Sequence, residues 1–124
     1  MLLAPDTVLI IDDDLPVRTA LKELFETEGY AVALAANGHA ALNHLRKGLR
    51  PCAILLDLMM PVMDGWDFRN EQLADPALKD LPVVILTAAG FSAETVRAQF
   101  GDIPFVPKPP PDTGLLEVVK RLRR

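Results

Sequence analysis

The segment "CAILLDLMMPVMDGWDF", residues 52–68, decides the fold. It opens with "CAILLD" (52–57), the third strand of the chain, an apolar run that closes on a carboxylate, Asp57. A short apolar run without polar alternation predicts a strand buried on both faces of a parallel sheet. The Asp64-Gly65 turn then starts a helix carrying Trp66, Phe68 and Leu73, which stops near Asp75-Pro76. Its apolar face is the least clear of any helix in the chain. Strand, turn and helix together form the unit of an α/β fold. The unit also sets an acid at the end of a buried strand, where an uncompensated charge is costly.

The same unit recurs on both sides of this segment. "TVLII" (7–11) is a β-branched apolar strand, after which Asp14 caps a helix with Pro16 in its first turn. Val17, Ala20, Leu21, Leu24 and Phe25 recur at helical spacing, and Gly29 ends that helix. "YAVALAA" (30–36) is a strand weakened by its alanines. Asn37 caps the next helix, with Ala41, Leu42 and Leu45 on one side and Gly48 at its end. Beyond the opening segment, "PVVILT" (82–87) is a fourth strand. Ser92 caps a short helix with Val96 and Phe100, closed by Gly101. "IPFVP" (103–107) is a short fifth strand, and the last helix runs from about Asp112 with Leu115, Leu116, Val119 and Leu122. Five strands alternating with helices predict a parallel sheet wound on both faces, the flavodoxin-like (βα)5 arrangement.

Composition bounds the function. The chain has 124 residues, half of them hydrophobic, which suits one domain over 1–124 with a substantial core. A net charge of -4 argues against direct nucleic-acid binding. The single Cys52 lies in an apolar run and fits core packing in a reducing compartment. The start "MLLAPD" lacks the charged leader of a signal peptide, and no apolar run approaches the ~20 residues needed to span a bilayer. A cytoplasmic protein without membrane contact is expected.

Ligands of open parallel sheets bind beyond the carboxyl ends of the strands. Asp12 and Asp13 follow the first strand, Asp57 ends the third, Thr87 ends the fourth and Lys108 follows the fifth. Taken singly, each is ordinary: an acid after a strand is commonly a helix cap. Together they converge on one edge. Clustered carboxylates repel one another, and a hard divalent cation offsets that repulsion. Mg²⁺ is the expected ion, with Mn²⁺ as a substitute. His39 and His44, five apart, have a poor metal spacing and are expected at the surface. Met59, Met60 and Met63, with no Cys or His beside them, are read as loop packing. "KRLRR" at the end places cations at a helix C-terminus, where the dipole favours them.

"VLIIDDD", "ILLDLMMPVMDGW", "VVILTA" and "FVPKP" resemble the receiver domain of two-component response regulators, and the resemblance runs from Val8 to the last helix. It implies that Asp57 is the phosphoacceptor. Asp12 and Asp13 would hold Mg²⁺ with Asp57 and the backbone carbonyl of Met59. Thr87 and Lys108 would bind phosphoryl oxygens, and the small Ala88 would leave that group room. Phe105 matches the family's switch aromatic. The implied partners are a histidine kinase or histidine phosphotransfer protein. A protein target would meet the face of the fourth helix, fifth strand and fifth helix. The third acid, Asp14, and the three prolines of "KPPPDTG" depart from the family's pattern. Two alternatives fit the residues less well. An aspartyl phosphatase or phosphotransferase of haloacid dehalogenase type needs a second acid two residues after its nucleophile, where Met59 stands. A flavodoxin-like cofactor binder needs a phosphate loop after the first strand, where three acids stand.

Overall fold

The computed structural model describes residues 6–58, 63–87, 93–101, 103–107 and 112–122. Its elements are β1 (Thr7–Ile11), α1 (Leu15–Thr27), β2 (Ala31–Ala35), α2 (Gly38–Arg46), β3 (Ala53–Asp57), α3 (Gly65–Ala74), β4 (Val83–Thr87), α4 (Ala93–Phe100), β5 (Phe105–Pro107) and α5 (Asp112–Leu122). The strands form one parallel sheet in the order β2-β1-β3-β4-β5. This is the expected doubly wound, flavodoxin-like architecture. Among the described residues no helix is long and apolar enough to cross a membrane.

Side chains alternate across each strand, so each strand feeds two cores. Leu9, Ile11, Ile54, Leu56, Val83 and Ile85 pack with Leu42 and Leu45 of α2, Phe68 of α3 and Val96 of α4. Val8, Ile10, Leu55, Val84, Leu86 and Val106 pack on the other face with Leu21 and Phe25 of α1 and Leu115 and Val119 of α5. The central strands β1 and β3 are buried on both faces, which explains their unbroken apolar runs. Cys52 is half-buried against the α1/α5 core.

Caps bound the helices as their sequences imply. Asp14 accepts from the Val17 N–H at 3.4 Å, Asn37 from the Ala40 N–H at 2.9 Å, and Asp64 from the Asp67 N–H at 2.9 Å. α1 closes with a left-handed residue, Gly29 at φ +93°, a conformation in which a Cβ is strained. The Gly29 N–H donates to Glu26 and the Tyr30 N–H to Phe25, a Schellman motif. Its apolar clasp is the edge-on stacking of Phe25 and Tyr30, with ring centres 5.5 Å apart. Because that turn takes the Tyr30 N–H, β2 begins at Ala31 and not at Tyr30. β5 is also shorter than the apolar run "IPFVP": the Ile103 N–H turns back to Gly101, though the Pro104 carbonyl still accepts from Ile85. His39 and His44 are exposed, as expected.

Helices α1 and α3 depart from the apolar pattern. Ala20, counted in the stripe of α1, lies exposed at its margin. In α3, Leu73 is 49% exposed while Gln72 is fully buried. Hydrogen bonding explains the inversion. The Gln72 Nε2 donates to the carbonyls of Leu78 and Leu81, at 2.9 and 3.0 Å. Its Oε1 accepts from Arg69 Nη1 at 2.8 Å. One amide thus ties down the chain between α3 and β4. Arg69 carries the cost: its Nε is buried without a hydrogen-bond partner, and desolvation lowers its guanidinium pKa below the usual value.

Three stability outcomes follow. Gln72→Leu strands the Leu81 carbonyl, while the Leu78 carbonyl keeps its bond from the Leu81 N–H, and should destabilise by about 1–3 kcal/mol, the cost of one unpaired buried group. Leu73→Gln should change stability by no more than about 0.5 kcal/mol. Urea unfolding of both variants checks the pair, because hydrophobicity alone predicts the reverse order. At Gly65, an added Cβ would sit 2.7 Å from the Asp57 carbonyl oxygen and 2.8 Å from the Leu58 Cα. Both obstacles are backbone, so Gly65→Ala should cost about 1–3 kcal/mol, read as a lowered thermal midpoint.

Candidate functional site

The site begins with strand register. Ile11 of β1 lies beside Leu56 of β3, so Asp12 and Asp57 leave the sheet side by side. The Asp12 N–H extends the β1–β2 ladder by one bond, to the Ala35 carbonyl at 3.1 Å. Asp12 is fully buried, Asp57 is 3% exposed, and Asp13 is exposed. One carboxylate oxygen from each of Asp12, Asp13 and Asp57 lies within 4.8 Å of the others. Asp14 stands outside this group and caps α1.

The loop carrying Asp12 and Asp13 is held from several directions. Asp12 Oδ1 accepts from the Asp14 N–H at 2.9 Å. The Asp12 carbonyl accepts from Arg18 Nη1 at 2.8 Å. On the β3 side, the Leu58 carbonyl accepts from the Gly65 N–H at 3.0 Å. The bare Cα of Gly65 lets α3 start against the Asp57 and Leu58 backbone. Gly38, at the start of α2, donates its N–H to the Met63 carbonyl at 3.1 Å. A Cβ there would approach Met63 Cγ to 2.8 Å.

The donor set suits a small hard cation. Octahedral Mg²⁺ bonds oxygen at about 2.0–2.1 Å, so opposed ligands stand roughly 4.2 Å apart. One oxygen from each acid lies within 4.8 Å of the others, a bound that admits that span. The chemistry agrees: three oxygen anions, two of them buried, impose a repulsion that a divalent cation relieves.

The other expected residues divide by position. Thr87 is the last residue of β4 and pairs in register with Pro107 of β5, while its neighbour Leu86 pairs with Asp57. The Thr87 backbone is therefore one step beyond the level of Asp57. Phe105 opens β5, is half-buried, and packs against the α2/α3/α4 core. Trp66 is half-buried against the same core. Met59, Ala88, Lys108 and the Ser92 cap lie outside the described residues.

Arg18 and Gly38 belong to the site's support, and sequence reasoning did not single them out. Arg18 reads as an ordinary polar position on an amphipathic helix. Its one available signal is its spacing, a turn beyond a run of acids. Gly38 follows a capping Asn, which accounts for it locally and hides its contact with Met63.

Comparison with known proteins places this geometry. Residues 8–120 match the response regulator receiver domain. The chain is 34% identical over 120 residues to the response regulator Rre1 of Synechocystis sp., covering 95% of this chain and 52% of that one. It spans about half the length of the curated relatives it matches. A crystal structure of a response regulator from Chloroflexus aurantiacus superposes with a TM-score of 0.86 at 32% identity, over 96% of this chain and 98% of the other. The chemotaxis protein CheY4 of Vibrio cholerae superposes with a TM-score of 0.84 at 30% identity, over 96% and 99%. With its fold and nearly its whole length in agreement, the chain belongs to the response regulator receiver domain family of two-component systems.

Proposed function

We propose that residues 1–124 act as one receiver domain in which Asp57 accepts a phosphoryl group from a histidine kinase or histidine phosphotransfer protein. The observation that carries this reading is the carboxylate group of Asp12, Asp13 and Asp57, gathered within 4.8 Å at the end of a buried strand. An Asp57 oxygen attacks phosphorus in line, the P–N bond to the donor imidazole breaks, and its electrons return to that nitrogen. The product is an acyl phosphate on Asp57. Such a transfer needs alignment and charge neutralisation more than elaborate covalent chemistry. β3 supplies alignment, since Asp57 is paired in the sheet and backed by Gly65.

Asp12, Asp13, Asp57 and the Met59 carbonyl would hold Mg²⁺ or Mn²⁺. That ion supplies neutralisation of the carboxylates and of the phosphoryl oxygens. Thr87 and Lys108 would bind the remaining phosphoryl oxygens, with Ala88 leaving room. The protein is then a cytoplasmic signalling domain that assists its own phosphorylation and dephosphorylation, not an enzyme acting on a separate substrate. Phe105 and Thr87 would couple the site to a target-binding face on α4, β5 and α5. The register between Thr87 and Pro107 supports that route. The haloacid dehalogenase alternative has no support from the family match.

Acetyl phosphate with Mg²⁺ should label Asp57 with an alkali- and hydroxylamine-labile phosphate, and Asp57→Asn should abolish the label. Full labelling of that variant would sink the assignment. Asp13→Asn should weaken Mg²⁺ binding by about tenfold or more, equivalent to ~1.4 kcal/mol. In metal-free buffer the same variant should melt at or above the temperature of the parent, because it removes one of three mutually repelling charges. Calorimetric titration and thermal unfolding read the two effects, and unchanged affinity would move the metal elsewhere.

A further inference from the structure

We infer that Arg18 is a positioning residue of the metal site, acting through the Asp12 carbonyl. The inference rests on the metal reading proposed above and extends it to a side chain on α1. Arg18 grips the acidic tripeptide at both ends. Its backbone N–H donates to the Asp14 carbonyl at 3.0 Å, and its Nη1 donates to the Asp12 carbonyl at 2.8 Å. The first bond belongs to the helix and any residue would make it. The second needs a long donor side chain, partly buried, reaching back beyond the helix start.

The bond to Asp12 fixes the peptide plane between Asp12 and Asp13. Asp12 is otherwise anchored by its N–H to Ala35 and by its Oδ1 to the Asp14 N–H. The Arg18 bond adds restraint on the side of Asp12 that leads to Asp13. Asp13 is exposed, so packing does little to aim it. Its direction must come from the backbone that carries it. Mg²⁺ tolerates little departure from octahedral geometry, so a misdirected carboxylate loses affinity.

Charge makes the test sharp, because the two consequences of removing Arg18 have opposite sign. A guanidinium beside the acids repels a second cation, so its charge alone weakens Mg²⁺ binding. Positioning strengthens it. Arg18→Met keeps the length of the stem and loses both donor and charge. If positioning dominates, Mg²⁺ affinity falls by roughly tenfold, the low end of what losing a ligand's supporting partner costs. Arg18→Lys keeps one donor and the charge and should recover much of that loss. In metal-free protein, amide exchange at Asp12 and Asp14 should quicken in Arg18→Met while the thermal midpoint stays near that of the parent.

The experiment is calorimetric titration of the full chain with Mg²⁺, alongside amide exchange followed by nuclear magnetic resonance. Weakened binding in Arg18→Met with recovery in Arg18→Lys supports the inference. Unchanged or tighter binding in Arg18→Met overturns it, as does an equal loss in both variants. A lowered melting temperature with unaltered affinity also overturns it, since that is a purely structural role. Failure of the unsubstituted chain to bind Mg²⁺ would instead overturn the metal reading itself, and the role assigned to Arg18 with it.

Discussion

Two carboxylates, Asp12 and Asp57, are buried at adjoining strand ends, with a third, Asp13, within reach of both. Like charges out of water are among the costliest arrangements a fold can hold. They stay together because the backbone leaves them no choice. β1 and β3 pair from Val8 beside Ala53 to Ile11 beside Leu56; Asp12 follows β1 directly, and β3 ends on Asp57. Separating the acids would require slipping that register. A one-residue slip of β1 against β3 would turn its side chains to the opposite faces, setting Ile10 where Ile11 now packs. The apolar layers on both faces therefore hold the electrostatic strain in place.

That arrangement explains which parts of the molecule could be read from the sequence. β1, β3 and β4 were legible because strands buried on both faces carry unbroken apolar runs, and their ends announce themselves with acids or a threonine. Asp14 and Asn37 were legible as caps because capping is local chemistry between residues two or three apart. α3 was not legible as a face. Its side toward the sheet includes Gln72, whose burial depends on carbonyls of Leu78 and Leu81 that no periodicity reveals. Leu73 is apolar yet points outward, so hydrophobic spacing misplaces both residues together.

The candidate site shows the same division. Its acids were legible as a set, because topology brings strand ends to one edge whatever the side-chain details. Its supports were not, because they act across the fold. Gly65 matters for the closeness of the Asp57 carbonyl, and Gly38 for the closeness of Met63. Arg18 matters for a carbonyl six residues earlier. In each case the important partner is backbone, or a side chain whose identity carries no complementary signal. Residues that bear charge at the site can be found by type, whereas those that hold its geometry are found only by contact.

The burial asymmetry among the three acids sets how the site can exchange with its surroundings. Asp12 is closed to solvent and works as a fixed wall, with its N–H, its carbonyl and one carboxylate oxygen all hydrogen-bonded. Asp57 is nearly closed, with 3% of its surface exposed. Asp13 is open to water and needs the least desolvation to meet a cation. A cation arriving from solvent would therefore be met first by the exposed acid and drawn inward toward the buried pair. Its gain in Coulomb energy grows along that path, as the effective dielectric constant falls. The same gradient works against any anion that arrives alone, since it meets three negative charges and finds stabilisation only with compensating positive charge. On the proposed reading of Asp57 as phosphoacceptor, phosphoryl entry would then depend on prior neutralisation, which is the order a signalling acid needs if it is to stay unmodified until its donor and its cation are both present.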